Sequence, residues 1–202
     1  MKCLDLFCGI GSWTRALHDT GHEVVLAVDL DPNRHAVYRH HYPDVPCVLG
    51  DVFDIPLPAA DAWFACADVP TLTALVSTRI LPLKALVLET VREPIEHIVK
   101  MLRPHFGAGS VLTWFDAGGR RYIVARKNAP EWRSPPVGFE VRNYPMATSY
   151  PNLLEAEASL GLPPGYTGVG GADDSMRRRM LGAATYQDIA RYITNQLKGA
   201  AP

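Results

Sequence analysis

The sequence predicts one α/β domain with an open, mostly parallel β-sheet and an antiparallel hairpin at the sheet edge. In the first half of the chain, short apolar runs of β-type composition alternate with segments of helical periodicity. This alternation is typical of a parallel sheet with helices on both faces. Within residues 110–127, two β-rich runs flank Asp-Ala-Gly-Gly, which predicts the hairpin.

The elements follow one another without an internal repeat. Five apolar runs predict the strands of the parallel part, namely MKCLDLF, EVVLAVDLDP, VPCVLGDV, DAWFACA and LKALVLE. Five segments predict helices, namely SWTRALHDTGHE, NRHAVYRHHYPD, IEHIVKMLRPHF, NLLEAEASLG and SMRRRMLGAATYQDIARYITNQL. We expect the third helix to stop at Pro104 and the last to break at Gly182. Residues 128–152 are rich in proline and lack periodicity, which predicts a short irregular segment.

Composition limits the class of protein. The chain has 202 residues, of which 48% are hydrophobic, and this predicts one domain spanning residues 1–202. The formal net charge of -1 argues against a protein that coats duplex nucleic acid by bulk electrostatics. Four cysteines without CxxC spacing favour a reducing compartment and no metal site. Residues 1–7 do not resemble a signal peptide, and no run approaches the roughly 20 apolar residues that span a bilayer. We therefore expect a cytoplasmic protein with no membrane partner.

A glycine turn and two acidic residues predict the ligand. Gly9 and Gly11 follow the first strand, where ligands of open α/β sheets bind. The turn lacks the Lys-Ser/Thr pair of a phosphate-binding loop. Asp29 ends the second strand, where a carboxylate can accept both ribose hydroxyls, and Asp51 ends the third, where it can meet an adenine amine. S-adenosyl-L-methionine fits this pattern better than a dinucleotide does. Alternatively, Asp29 and Asp31 only cap the following helix.

The stretches LDLFCGIGSWTRAL, AVDLDPNRHAVYRHHYPD and GDV resemble the first three motifs of the DNA cytosine-5 methyltransferases. The resemblance implies a Rossmann-like, S-adenosylmethionine-dependent methyltransferase fold. It implies that Phe7, Gly9 and Gly11 line the methionine end of the cofactor, Asp29 holds the ribose, and Asp51 with its neighbour holds the adenine. The full set of cofactor residues so predicted is Asp5, Phe7, Gly9, Gly11, Ser12, Trp13, Thr14, Asp29, Leu30, Asp51 and Val52.

The later motifs are matched more weakly. PLKALVLETV resembles the family's strand ending in Glu-Asn-Val, with Glu89 in place and Thr90 instead of Asn. GRRYIVARK resembles an arginine-containing hairpin strand, with Arg121 at the second arginine. YPNLLEAEASLGLPPGYTG and RRRMLGAATYQDIARYI are similar to the closing motifs, with Ala183 instead of Asn. By this resemblance Glu89 engages the ring nitrogen of a pyrimidine, and Arg121 supports Glu89 or the substrate's carbonyl or phosphate.

The stretch FACADVPTLT departs from the family at its nucleophile. The family adds a cysteine thiolate, from a Pro-Cys pair, to the ring carbon next to the one that is methylated. Here Asp68 and Val69 stand at those two positions. Three explanations remain open. Cys66 could supply the thiol; Asp68 with Pro70 could serve methylation of an exocyclic amine; or the protein binds the cofactor without methylating.

Two segments are short for the family. Val69 and Glu89 are 20 positions apart, and residues 128–152 comprise 25 positions; the second is too small for the usual target-recognition region. We therefore predict an S-adenosylmethionine-binding, cytosine-5-methyltransferase-like protein that modifies a pyrimidine base, in nucleic acid or as a free nucleotide, without the usual cysteine, with Glu89, Arg121 and Asp68 as catalytic candidates. One alternative is a catalytically inactive subunit whose protein partner supplies target recognition. The other is an exocyclic-amine methyltransferase that uses Asp68-Val69-Pro70.

Overall fold

A computed structural model describes residues 1–79, 84–91, 94–106, 110–117, 119–127, 150–169 and 171–197. The strands are β1 Lys2–Leu6, β2 Glu23–Asp29, β3 Cys47–Leu49, β4 Ala62–Cys66, β5 Ala85–Val91, β6 Val111–Ala117 and β7 Arg120–Arg126. The helices are α1 Ser12–Asp19, α2 Pro32–His41, α3 Val69–Thr78, α4 Glu96–Phe106, α5 Leu153–Ser159, α6 Asp174–Gly182 and α7 Gln187–Leu197.

The strands form one seven-stranded sheet in the order β3-β2-β1-β4-β5-β7-β6. Strands β1 to β5 pair in parallel, and β7 pairs antiparallel with both β5 and β6. The predicted fold class, a mostly parallel sheet with an antiparallel hairpin at its edge, is therefore confirmed. The strand order reverses between β1 and β4, and ligands of open α/β sheets bind outside the carboxyl ends of the strands at such a point.

Apolar side chains fill both faces of the sheet. One core lies on the side of the packed helices α1 and α7 and includes Trp13, Tyr38, Tyr122 and Ile189. The other lies on the side of α3 and α4 and includes Leu72, Ile98 and Ile123. Each face is covered, as the continuous apolar composition of β1, β4 and β5 predicts. No helix among the described residues is both long and apolar enough to cross a membrane.

Helix boundaries differ from the prediction in two places. Helix α4 does not stop at Pro104 but continues to Phe106; the proline lies in the last turn, where its missing N–H removes little of the hydrogen-bond ladder. Helix α3 is absent from the predicted elements. Asp68 caps it by accepting a hydrogen bond from the Thr71 amide at 2.8 Å, and Pro70 lies in its first turn, which is a typical helix start.

The closing segment behaves as predicted, since α6 ends at Gly182 and α7 begins at Gln187. Of the predicted irregular segment 128–152, residues 128–149 lie outside the described part of the chain. Only its last three positions are described, immediately before α5, which Asn152 caps through the Glu155 amide. The prediction for the rest of that segment stays a prediction.

Candidate functional site

The turn after β1 has an unusual backbone. The backbone φ angles are 57° at Phe7, 58° at Gly9 and 86° at Gly11. These values lie in the left-handed region, which residues other than glycine rarely adopt. A Cβ atom on Gly11 would lie 2.4 Å from the Tyr42 ring, whereas one on Gly9 would meet no atom within 4 Å. Gly11 is thus required by packing, and Gly9 leaves open space beside the turn. Strain at the non-glycine Phe7 is the kind that proteins keep at ligand sites.

A cavity of about 610 Å³ opens at the carboxyl ends of β1 to β4. Its volume lies in the usual range for small-ligand pockets. It brings together six of the residues predicted from the sequence for cofactor binding or catalysis. They are Phe7, Asp29, Leu30, Asp51, Val52 and Asp68, and the remaining lining comes from Val28, Asp31, Arg34, Gly50, Phe53, Cys66, Ala67 and Thr71.

The two predicted acids of this cavity differ in their surroundings. Asp29 is 4% exposed, and its two oxygens accept hydrogen bonds from the amides of Gly9 at 2.7 Å and Asp31 at 2.8 Å. It therefore fixes the glycine turn onto β2. Asp51 is exposed and accepts from the Phe53 amide at 2.9 Å. Helix α2 is capped by Asp31, so the capping alternative holds for Asp31 and not for Asp29.

A small slot of about 40 Å³ adjoins the large cavity and shares Phe7, Arg34 and Cys66 with it. On one side it is lined by the glycine turn and the start of α1, including the predicted residues Gly9, Ser12 and Trp13. On the other side it is lined by the end of α6 and the turn before α7, at Met180, Ala183, Ala184 and Thr185. The closing motif therefore faces the glycine turn across this slot.

Asp5 and Thr14 line neither cavity among the described residues. The fully buried Asp5 accepts two hydrogen bonds on one oxygen, from the Thr14 amide at 3.0 Å and the Thr14 hydroxyl at 2.7 Å. Its other oxygen has no hydrogen-bond partner within the described part of the chain. Burial raises the pKa of Asp5 to about 7. The hydrogen bonds between Asp5 and Thr14 join β1 to α1 and so hold the glycine turn between them. Gly11 supports the same turn by packing on the Tyr38 and Tyr42 rings.

Glu89, at the end of β5, is fully buried and surrounded by donors. Its carboxylate accepts hydrogen bonds from Trp13 Nε1 at 2.8 Å, from the Tyr122 hydroxyl at 3.3 Å and from the Thr185 hydroxyl. Arg120 Nη1 completes the set with an ion pair at 3.1 Å. Elements from the start, middle and end of the chain therefore meet at this one carboxylate.

Arg120, and not Arg121, pairs with Glu89, so that part of the prediction is wrong; a role of Arg121 at the substrate's carbonyl or phosphate stays a prediction. The Arg121 guanidinium binds Asp116 on β6 at 2.7 and 2.9 Å. In the antiparallel register Glu89 lies opposite Tyr122, and side chains two apart on a strand share a face. Arg120 is therefore on the Glu89 face and Arg121 on the opposite one. The strand period places the two adjacent arginines of GRRYIVARK on opposite faces, and the pairing of β7 with β5 decides which of them lies beside Glu89.

The end of β4 carries the departure from the family. Val69 is the first residue of α3, and Asp68 is its exposed cap; hydrogen bonds from Thr71 lower the pKa of Asp68. Cys66 borders both the cavity and the slot, and its sulfur lies 3.5 Å from Arg120 Nη1. Burial and the nearby Glu89 carboxylate raise the pKa of the Cys66 thiol well above its ordinary value. Cys66 is therefore a neutral thiol at neutral pH.

The described residues contain no group of three or more His, Cys, Asp or Glu side chains that could hold a metal ion. Eight cavity residues were absent from the predicted site residues, and among them Arg34, Phe53, Ala67 and Thr71 had not been considered for any role. Arg34 and Phe53 follow the acids Asp31 and Asp51 by two or three positions. Their closeness in sequence to those acids was the signal that could have indicated their position at the cavity.

The sheet order, the glycine turn and the cavity at the switch point define an open α/β protein with a candidate ligand site at the carboxyl ends of its strands. In a comparison with known families, residues 1–61 match the family model of the C-5 cytosine-specific DNA methylases. No curated protein sequence matches the chain. The resemblance to the cytosine-5 methyltransferases is therefore confirmed on the amino-terminal motifs.

Solved structures extend the similarity in fold over nearly the whole chain. A mutant of DNMT2 from Spodoptera frugiperda is 13% identical with a TM-score of 0.74, covering 98% of this chain and 99% of its own. Dnmt2 from S. pombe is 12% identical with a TM-score of 0.70, covering 98% of both chains. The methyltransferase EhMeth from Entamoeba histolytica is 12% identical with a TM-score of 0.74, covering 100% and 99%. At these identities the likeness is one of fold.

Proposed function

We propose that this chain is an S-adenosylmethionine-binding, methyltransferase-like protein that does not methylate cytosine through the family's thiol route. The cavity's donor set fits the cofactor. Asp29 and Asp51 offer carboxylate oxygens for ribose hydroxyls and an adenine amine. Leu30 and Val52 offer apolar surface for the adenine ring, and Leu30 is 67% exposed at the rim. The open space beside Gly9 leaves room for the methionine end.

When bound, S-adenosylmethionine supplies an electrophilic methyl group, and an acceptor has to be activated beside it. Thiol activation has no support in this chain. Position 69 is a valine at the first turn of α3. Cys66 is held as a neutral thiol by burial and by Glu89, and a thiol rather than a thiolate is a poor nucleophile. Covalent addition to a pyrimidine ring is therefore not expected.

The surroundings of Glu89 carry the proposal. Its two oxygens already receive four donors from Trp13, Tyr122, Thr185 and Arg120. A pyrimidine ring nitrogen would have to displace at least one of these partners in a fully buried site, which leaves an unpaired polar group at a cost of about 1–3 kcal/mol. Glu89 is better suited to joining the glycine turn, β7 and the closing motif than to engaging a base. We infer that the protein binds cofactor in support of a partner that supplies target recognition.

A second candidate is methylation of an exocyclic amine on a pyrimidine, and the position of Asp68 favours it. Asp68 is exposed and lines the same cavity as Asp29 and Asp51. Its Oδ1 atom accepts the Thr71 amide, and a carboxylate has further lone pairs with which it can accept an amine hydrogen. The lowered pKa of Asp68 keeps it ionised as an acceptor. The substrate would be a pyrimidine in nucleic acid or a free nucleotide.

Isotope-labelled transfer separates these functions. The protein is incubated with S-adenosylmethionine carrying a deuterated methyl group and with DNA, RNA or free nucleotides, and the nucleosides are then analysed by mass spectrometry. We expect cofactor binding without a labelled nucleoside. Label on an exocyclic amine that is lost in Asp68→Ala would replace the first proposal with the second. Labelled 5-methylcytosine, or a covalent complex with a 5-fluorocytosine oligonucleotide, would contradict both.

A further inference from the structure

A second groove lies on the opposite face of β7 from Glu89. It has a volume of about 410 Å³ and lies between α4 and the edge of the sheet. It shares no residue with the cofactor cavity or with the slot. Its described lining is Ile95, Glu96, Val99, Lys100, Arg103, Trp114 and Arg121. Nothing in the proposed cofactor function uses it.

Trp114 is the notable apolar residue of this groove. It lies on the edge strand β6, and its side chain is 49% exposed, whereas Trp13 and Trp63 are buried at 3% and 5% exposure. A Trp side chain has more apolar area to bury than any other and is seldom left in water without a partner. An exposed indole beside a groove is an available stacking surface.

Cations surround the indole although the chain as a whole carries a net charge of -1. Glu96, Lys100 and Arg103 are spaced i, i+4, i+7 along α4, which aligns them on one helix face. Arg121 faces Asp116. Lys100 and Arg103 are exposed, and neither makes an ion pair with another described residue. The groove therefore combines one aromatic face with two cations directed to solvent.

We propose that this groove binds a single-stranded segment of nucleic acid, with one base stacked on Trp114 and the flanking phosphates at Lys100 and Arg103. Aromatic faces interleaved with cations are the general means of holding unpaired strands. A paired base cannot present its face to an indole, and the groove has room for about one nucleotide. The occupant is thus an unpaired strand and not a duplex. Glu96 limits the number of phosphates that the groove tolerates.

Fluorescence anisotropy with a fluorescein-labelled single-stranded oligothymidylate tests the proposal on the whole chain without cofactor. We expect saturable binding at low salt that quenches tryptophan emission. Trp114→Ala should weaken it about tenfold, and Trp114→Tyr should recover most of that loss because a phenol also stacks. Lys100→Ala with Arg103→Ala should weaken it and flatten the salt dependence by about 1.4 units of log–log slope, because each phosphate contact to a single strand contributes about 0.7.

A charge-matched control uses Arg39→Ala with Arg179→Ala, two exposed arginines on α2 and α6. This pair should leave the affinity within about twofold, since it removes the same charge away from the groove. An abasic strand of equal length should bind the wild type as weakly as the oligothymidylate binds Trp114→Ala. Equal affinity of wild type and Trp114→Ala, equal loss in the control pair, or preference for duplex would each overturn the proposal. Circular dichroism confirms that every variant is folded.

Discussion

Replacing Glu89 by glutamine tests whether this carboxylate holds the structure together. Glu89→Gln keeps the side-chain shape and removes the charge. The Arg120 side chain is 14% exposed and lies 3.1 Å from the carboxylate, so the substitution leaves a mostly buried cation without its counterion. The amide also places an NH₂ group where an oxygen now accepts from Trp13 or from Tyr122. Two of the four partners therefore lose their acceptor at once.

The expected magnitude follows from these contacts. Breaking a buried ion pair by removing one member costs about 3–5 kcal/mol, and relaxation of Arg120 toward solvent places the loss near the lower value. For a domain of this size, each kcal/mol shifts the melting temperature by roughly 2–4 °C. We therefore expect Glu89→Gln to lower the free energy of unfolding by about 3 kcal/mol and the melting temperature by roughly 6–12 °C.

Urea denaturation followed by far-ultraviolet circular dichroism measures this change. Glu155→Gln is the matched control, because Glu155 is exposed on α5 and should change the stability by less than about 0.5 kcal/mol. Adding Arg120→Met to Glu89→Gln should restore part of the loss, giving a coupling energy of about 1–3 kcal/mol. A Glu89→Gln variant within about 1 kcal/mol of wild type would refute the structural role. It would mean that Glu89 is free to meet a ligand.

Three further substitutions test other parts of the account. Gly11→Ala, which places a Cβ atom 2.4 Å from the Tyr42 ring at a φ of 86°, should destabilise the protein by at least ~2 kcal/mol in urea unfolding; an unchanged midpoint would contradict this. The pKa of Asp5 is raised to about 7, so the native state holds a proton that the unfolded state releases, and stability should fall as pH rises from about 4 to 7. Asp5→Asn removes this dependence, and parallel pH profiles of the two proteins would contradict the prediction. Asp68→Ala should lose the α3 cap and about 1 kcal/mol, whereas Asp68→Asn should retain most of it. Because the pKa of Asp68 is lowered in the folded protein, the stability that its cap contributes should be present at neutral pH and lost as pH falls through the lowered pKa. Equal stability of the alanine and asparagine variants would exclude the capping role.

The amino-terminal half was predictable because its cause is local. Short apolar runs that alternate with segments of helical periodicity indicate a parallel sheet from local patterns alone. Glycines at positions that need positive φ then mark the turn, and Asp29 ends the buried strand beside it. These features are recognised from neighbouring residues, and the cavity lies at the carboxyl ends of the strands, where they predicted a ligand site.

The surroundings of Glu89 were less predictable because they depend on register between distant strands. Which of Arg120 and Arg121 faces Glu89 follows from a pairing between β5 and β7 that no local pattern fixes. The role of Asp68 was ambiguous for a related reason. An acid before Val-Pro can cap a helix or border an active site, and here the structure has it capping α3 while lining the cavity.

The hydrogen bond from Thr185 to Glu89 also could not be predicted from local sequence patterns. The Thr185 hydroxyl reaches Glu89 from 96 positions away, and only the packing of the α6–α7 turn against the glycine turn brings the two together. A residue of small size and ordinary type in a turn gives no sequence signal of this kind. Such contacts between the ends of the chain have to be observed.

Calorimetric titration with S-adenosylmethionine tests the central claim most directly. We predict binding at one site per chain, competition by S-adenosylhomocysteine, and a loss of about tenfold in affinity for Asp51→Ala, since this exposed acid lines the cavity without supporting the core. Unfolding curves of Asp51→Ala should match those of the wild type. Absence of binding heat for the folded wild-type protein at millimolar cofactor, at two temperatures, would contradict the assignment of the cavity.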